Sequence, residues 1–201
     1  MKKKNTDKKR LIIDSAIKNF AAKGFERTRI DDIVAGTGLS KGAFYWYYNS
    51  KDELIFEILG EVVGEIPMFK QIDVQSDKRI STQFIDLIKS IMSDTQEYLV
   101  KLPVLMEFYT LAARKPEYRE FFKKHFNENI LWIAELLSIG EKREEFDLGD
   151  SSPKKMATTI IAMLEGLIVL YLLNPEIYNL EEQSILAIQN ILNGIKRKEN
   201  I

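Results

Sequence analysis

The chain contains no cysteine, which excludes disulfides, thiolate metal sites and a cysteine nucleophile. It has one histidine, His125, which takes multi-histidine zinc sites and the usual catalytic triads out of consideration. His125 reads as a surface or internally satisfied residue. No Glu-x-x-His pair is present to suggest a di-iron helical bundle. Five prolines and ten glycines in 201 residues are too few for a disordered or fibrous chain. The adjacent acids Glu144 and Glu145, and Glu181 and Glu182, point apart on a helix, so a solvated face explains them better than catalysis. The sequence therefore assigns no catalytic residue, no metal and no cofactor. No apolar core follows the opening MKKKNTDKKR, so it does not read as a secretory leader, and a cytoplasmic location is expected.

What is present is a folded, soluble composition, with 45% hydrophobic and 29% charged residues. The net charge of -1 conceals an asymmetry. Residues 1–51 hold 12 Lys/Arg against 5 Asp/Glu, a charge of +7, and residues 52–201 hold 17 against 25, a charge of -8. A basic N-terminal quarter on an acidic body suits a polyanion partner at that end, or equally a solvated charged tail.

Apolar residues recur at helical spacing almost throughout, and no strand-like alternation is sustained. Leu11, Ile12, Ala16, Ile17 and Phe20 form one stripe that Gly24 stops. Thr28 is placed to cap a short second helix, with Asp31 three residues on as a partial capping box. Ser40 caps a third helix reaching about Tyr47, and Ser50-Lys51-Asp52-Glu53 is a capping box that opens a fourth. Pro67 marks the expected end of that helix, and a polar connection follows. Further helices are expected over about 78–100, from Pro103 and from Pro116, with a loop over 140–152. Ser152-Pro153 opens a long apolar helix that Asn174-Pro175 stops, and Asn179 opens the last, to about Lys198. The expectation is an all-α chain of about nine helices. Residues 1–50 form a three-helix helix-turn-helix domain, 51–75 a linking helix and connection, and 76–201 a larger helical domain.

Residues 40–48 have an odd composition for a core helix. Lys41, Gly42 and Ala43 lie at its start, and Phe44, Tyr45, Trp46, Tyr47 and Tyr48 follow. In a helix-turn-helix the N-terminal residues of the second helix enter the major groove, and small residues there permit close approach to base edges. Tyrosine hydroxyls and helix N-termini suit phosphates. Phe44 and Tyr48 lie four apart on one face and read as core. Tyr45, Trp46 and Tyr47 cannot all share that face.

The ordered run from Gly24-Phe25 through Thr28-Arg29-Ile30-Asp31-Asp32-Ile33-Val34 and Gly38-Leu39-Ser40-Lys41-Gly42-Ala43-Phe44-Tyr45-Trp46-Tyr47-Tyr48 to Ser50-Lys51-Asp52-Glu53-Leu54 resembles the DNA-binding domain of the TetR family. The resemblance implies phosphate contacts at Thr28, Ser40, Tyr47 and Lys51. It implies base-edge contacts at Lys41, Gly42, Ala43, Tyr45 and Trp46, with Tyr45 also near phosphate. Two aromatics depart from the family pattern, which commonly has His or a similar polar residue at Tyr47 and Phe at Tyr48. Ala43 stands where a hydrogen-bonding residue is frequent, which turns the expected readout toward thymine methyl groups.

One reading helix covers only a half-site, so a homodimer on double-stranded DNA with a pseudo-palindromic operator is expected. Residues 156–173 carry one charge, Glu165. Length alone would allow a membrane span, but a central glutamate opposes it, and no membrane partner is assigned. A helix wholly internal to a monomer is a second reading. A helix with one face in the core and another in a dimer explains apolarity on all sides. Glu165, Gly166 and Val169, with Leu186, Gln189 and Asn193 of the last helix, are the expected dimer surface. The resemblance also implies a small-molecule effector, lipophilic here, held between the middle helices. Phe84, Ile88, Met92, Phe108, Tyr109, Phe126, Ile130 and Met163 are the candidate pocket residues, each also readable as plain core. The family default is a repressor that its effector releases from DNA. The competing class is a non-specific DNA-binding or scaffold protein without a ligand switch, which the basic N-terminus alone would satisfy.

Overall fold

Capping groups explain most helix starts in the computed structural model. It describes residues 2–64, 72–93 and 95–197, with side chains described over 7–61, 72–90 and 101–197. The described residues form nine α-helices: α1 (Lys2–Lys23), α2 (Ile30–Ala35), α3 (Lys41–Tyr47), α4 (Lys51–Gly64), α5 (Ile80–Ser93), α6 (Thr95–Ala112), α7 (Pro116–Lys142), α8 (Pro153–Leu173) and α9 (Leu180–Gly194). Ser40, Ser152 and Asn179 each accept a hydrogen bond from a first-turn N–H, of Ala43, Lys155 and Glu182 respectively. Gly24 ends α1 at φ +80°, a left-handed conformation that side chains resist.

Several boundaries differ from the sequence reading. The cap of α2 is Arg29, not Thr28, and the carboxylate that returns to the cap N–H belongs to Asp32, not Asp31. At α4, Ser50 Oγ accepts the Glu53 N–H as expected, but Glu53 reaches back to Asn49 rather than to Ser50. Pro103 does not open a helix. It lies inside α6 on an exposed face, where it forfeits one backbone bond and no buried partner. Gly140 lies in α7 rather than in a loop, and the Phe146 ring packs against its bare Cα, where a Cβ would stand 2.2 Å from the ring. The last helix stops at Gly194. Lys196 then bridges to Phe146, and Asp147 N–H donates to Ile195 O at 2.7 Å. Pro67 lies outside the described residues.

The chain divides into two compact units: residues 1–65 with 96–120, and residues 66–95 with 121–201. This division does not follow a single cut near residue 75, because α6 and the start of α7 join the N-terminal helices. In the first unit Ile12, Ala16, Phe20, Ile33, Phe44, Leu54, Ile55 and Ile58 are buried, and Phe108 and Tyr118 from the returning segment complete the core. A relay of rings runs through it. Phe20 meets Phe25 at 5.3 Å, Phe25 meets Phe108 at 5.1 Å, Phe108 meets Tyr118 at 5.3 Å, and Tyr118 stacks on Phe56 at 5.0 Å. Such pairs add about 0.5–1.5 kcal/mol each beyond area burial.

In the second unit α9 packs on both α5 and α8. Phe84, Leu87, Ile88, Ile133, Leu136, Leu137, Ile160, Ile188 and Leu192 are buried. Glu145 is buried too, and its carboxylate accepts the Ile80 and Ser81 N–H groups at 2.8 Å. It thereby caps α5 from a position 65 residues away. The acid that adjacency to Glu144 might have marked as catalytic is a cap, and Glu144 pairs with Arg197 at 3.1 Å. Arg143 donates to Val74 O and Ser76 O and holds the turn that precedes α5.

Candidate nucleic-acid interface

The helix α3 is fixed by two aromatic anchors. Phe44 is fully buried and Tyr48 nearly so, while Tyr45 is 50% and Trp46 69% exposed. Tyr47 is half-buried, with its ring edge-on to Trp46 at 4.8 Å. This is the division of the five aromatics that helical spacing implied. Large rings left in water stabilise no core, so Tyr45 and Trp46 are available to a partner.

At the start of α3, Gly42 is exposed, and a Cβ on it would meet only Ser40 Oγ, at 3.7 Å. Ser40 is exposed, with its hydroxyl accepting the Ala43 N–H at 3.2 Å. Lys41 is exposed and its ammonium lies 3.0 Å from the Asp31 carboxylate on α2. Asp32, one residue on, accepts Lys23 Nζ and the Arg29 N–H, each at 2.8 Å. The Lys23 bond and then the Arg29 N–H hold the Asp32 carboxyl below the usual aspartate range.

Two expected phosphate contacts have other work in this geometry. Thr28 is 1% exposed, and its hydroxyl donates to Gly24 O at 2.8 Å. Its side chain closes the α1–α2 turn. The Lys51 ammonium folds back into the same turn, donating to Phe25 O and, at 2.9 Å, to Thr28 O. It also sits 4.2 Å from the centroid of the Phe25 ring. Both Glu107 carboxylate oxygens lie 2.8 Å from the Phe25 nitrogen and accept its N–H. The turn between α1 and α2 is thus clamped through both its donor and its acceptors. Glu107 escaped the sequence reading because its partner is 82 residues away.

The remaining expected residues separate by unit. Phe84 and Ile88 are buried in the second unit, where Phe126 and Ile130 of α7 and Met163 of α8 are half-buried. Phe108 is not there. It is fully buried in the first unit, against Phe25, with half-buried Tyr109 beside it. It thus packs in a different unit from Phe84, Ile88, Phe126, Ile130 and Met163. The Met92 side chain lies outside the described residues. A cavity of about 270 Å³ in the second unit is lined by Ile72, Asp73, Ser76, Lys78, Gln83, Asp86 and Leu87, none of them an expected pocket residue. Among the described residues no cluster of His, Cys, Asp or Glu is arranged to hold a metal ion.

On α8 and α9 one face is buried and the other open. Ile160 and Ile168 of α8 and Ile188 and Leu192 of α9 are buried. Leu170, Leu173 and Leu186 are exposed, Leu173 at 78%. Gly166 has open space around it, Glu165 and Val169 are half-buried, and Gln189 and Asn193 are exposed. Among the described residues α8 is the one helix long and apolar enough to cross a membrane.

Comparison with known proteins agrees with this geometry. The model of bacterial regulatory proteins of the tetR family matches residues 12–58, and that of the C-terminal domain of BetI-type transcriptional repressors matches residues 83–192. The HTH-type transcriptional regulator YfiR of Bacillus subtilis is 29% identical over 147 residues, which cover 72% of this chain and 71% of that protein. SmeT, the repressor of the Stenotrophomonas maltophilia multidrug efflux pump SmeDEF, has the same fold in its triclosan complex. The TM-score is 0.80 at 19% identity, over 96% of this chain and 93% of that one. A transcriptional regulator of Saccharomonospora viridis in complex with choline superposes with a TM-score of 0.79 at 17% identity, over 96% of this chain and all of that one. With a reading helix that exposes Lys41, Tyr45 and Trp46, and family matches at both ends, the chain belongs to the TetR family of DNA-binding transcriptional regulators.

Proposed function

We propose that the protein is a cytoplasmic homodimeric repressor that a small lipophilic effector releases from a pseudo-palindromic operator. The observation that carries this reading is the pairing of two exposed surfaces with no fold-stabilising purpose. Tyr45 and Trp46 on α3 stand in water, and so do Leu170 and Leu173 on α8 and Leu186 on α9. Exposed large apolar side chains on two helices that pack together suit an association surface. A two-fold dimer through α8 and α9 would bury it and present two reading helices to successive half-sites. Glu165, Gly166, Val169, Leu186, Gln189 and Asn193 would lie on that face. Gly166 would allow close helix approach, as its surroundings are open.

On DNA, Lys41, Gly42, Ala43, Tyr45 and Trp46 would meet base edges, and Ser40 and Tyr47 the phosphates. The effector role is supported by the second unit's store of buried and half-buried Phe, Ile and Met side chains. It is also supported by relatives of the same fold that hold triclosan or choline.

Genomic fragments retained by the purified protein at moderate salt test the reading directly. Enrichment of a palindrome, lost in a Lys41→Ala/Tyr45→Ala variant, is the expected result. Uniform retention that collapses with salt would instead indicate non-specific binding, because counterion release dominates there. A monomeric mass by light scattering at micromolar concentration would remove the α8–α9 dimer.

A further inference from the structure

Asp31 does not cap the helix that carries it. It lies in the first turn of α2, where capping falls to Asp32. Asp32 binds the Arg29 N–H with one carboxylate oxygen and Lys23 of α1 with the other. Asp31 instead reaches across the turn to Lys41 in the first turn of α3, with Nζ 3.0 Å from one carboxylate oxygen and 3.1 Å from the other. The two side chains are 67% and 51% exposed. An exposed ion pair of this kind adds little to stability. A carboxylate beside the end of a helix that enters a major groove also repels the phosphates that flank it.

We propose that Asp31 is a specificity-determining residue, which holds the Lys41 ammonium toward base edges and away from the DNA backbone. The inference rests on the assignment of α3 as the reading helix. An untethered lysine is a flexible point charge and settles on the nearest phosphate. An ammonium has three N–H donors. With Asp31 accepting from one side, the others remain for the O6 and N7 acceptors of guanine in the major groove. The carboxylate also penalises every DNA sequence that offers Lys41 no base contact, so it weakens unrelated DNA more than the operator. Asp31 is therefore a positioning residue, and Lys41 makes the contact.

The test compares the full chain with Asp31→Ala, Lys41→Ala and the double variant. Each is put through selection from random duplex DNA and through binding at several salt concentrations. Asp31→Ala is expected to keep the thermal midpoint and to bind unrelated DNA several-fold more tightly. Its ratio of selected to unrelated affinity should fall by about tenfold, the scale of one lost base contact. Its slope of log affinity against log salt should steepen by about 0.9, as freed Lys41 neutralises one more phosphate. Adding Lys41→Ala should abolish that steepening. Asp31→Ala with the wild-type base preferences and salt slope would overturn the inference alone. So would the same changes in the Lys41→Ala background, because Asp31 would then act without Lys41. A wild-type protein that selects no sequence would overturn the reading-helix assignment and this inference with it.

Discussion

Lys51→Met separates two roles for one side chain. The family resemblance places the ammonium on a phosphate, whereas the structure places it in the α1–α2 turn, against Phe25 O, Thr28 O and the Phe25 ring. Methionine keeps the length and the apolar stem and removes the charge and the donors. A hydrogen bond from a charged group is worth about 1.5–3 kcal/mol net. Lys51 is only half-buried, so water can replace part of what is lost, and about 2 kcal/mol is a fair total for the two bonds. The cation–π contact adds about 0.5–1 kcal/mol. The expected loss is therefore about 2–3 kcal/mol, which lowers the midpoint of a chain this size by roughly 5–10 °C. Thermal unfolding followed by far-UV circular dichroism reads it. DNA affinity of the folded variant should keep its salt slope. A midpoint within about 1 °C of wild type, with a salt slope shallower by about 0.9, would refute the clamp and restore the phosphate contact.

Three further outcomes follow from named contacts. The Tyr48 hydroxyl is buried beside the Glu57 carboxylate but makes no hydrogen bond of normal length and angle among the described residues, and burial, then that carboxylate, pushes its pKa upward. Tyr48→Phe should therefore raise the unfolding free energy by about 1 kcal/mol in urea, and a loss would show that the hydroxyl has a partner. Gly140→Ala puts a methyl into the space of the Phe146 ring and should cost about 1–3 kcal/mol by the same assay, whereas an unchanged midpoint would mean the ring is free to move. The carboxyl of Asp32 has a lowered pKa, so its contribution to stability is complete above the ordinary aspartate range and disappears as pH falls through the lowered value. Melts between about pH 6 and pH 3 should show that Asp32→Asn flattens this acid limb, and an identical limb in the variant would rule the pair out as its source.

Local chemistry made much of this molecule legible. Ser40, Ser152 and Asn179 announce helices because a short polar side chain satisfies first-turn N–H groups from within its own neighbourhood. The spacing of Phe44 and Tyr48 gave their burial for the same reason, since helical periodicity is a property of nearby residues. The contacts that sequence did not reveal share the opposite cause. Thr28 and Lys51 carry family signals for phosphate, but their polar atoms are claimed by carbonyls of a turn whose conformation no residue count reveals. Phe108 reads as one more apolar residue in a ligand-binding body, and only the fold shows it against Phe25. Pro103 suits a helix start in sequence and is tolerated inside α6 because it faces water. Asp31 and Asp32 are indistinguishable as letters, and their separate tasks depend on which oxygen meets which helix.

The return of α6 to the N-terminal helices bears on how the protein is made and how it could be re-engineered. The DNA-reading unit is discontinuous, so during synthesis its core waits for Phe108, Tyr118 and the carboxylate of Glu107 to leave the ribosome. The second unit's first helix, α5, is already outside by then. A graft that transplants only the first 65 residues onto another regulator would leave Phe25 without the Phe108 ring and its N–H without the Glu107 carboxylate. A single cut in the connection between α4 and α5 therefore separates two segments of one compact unit.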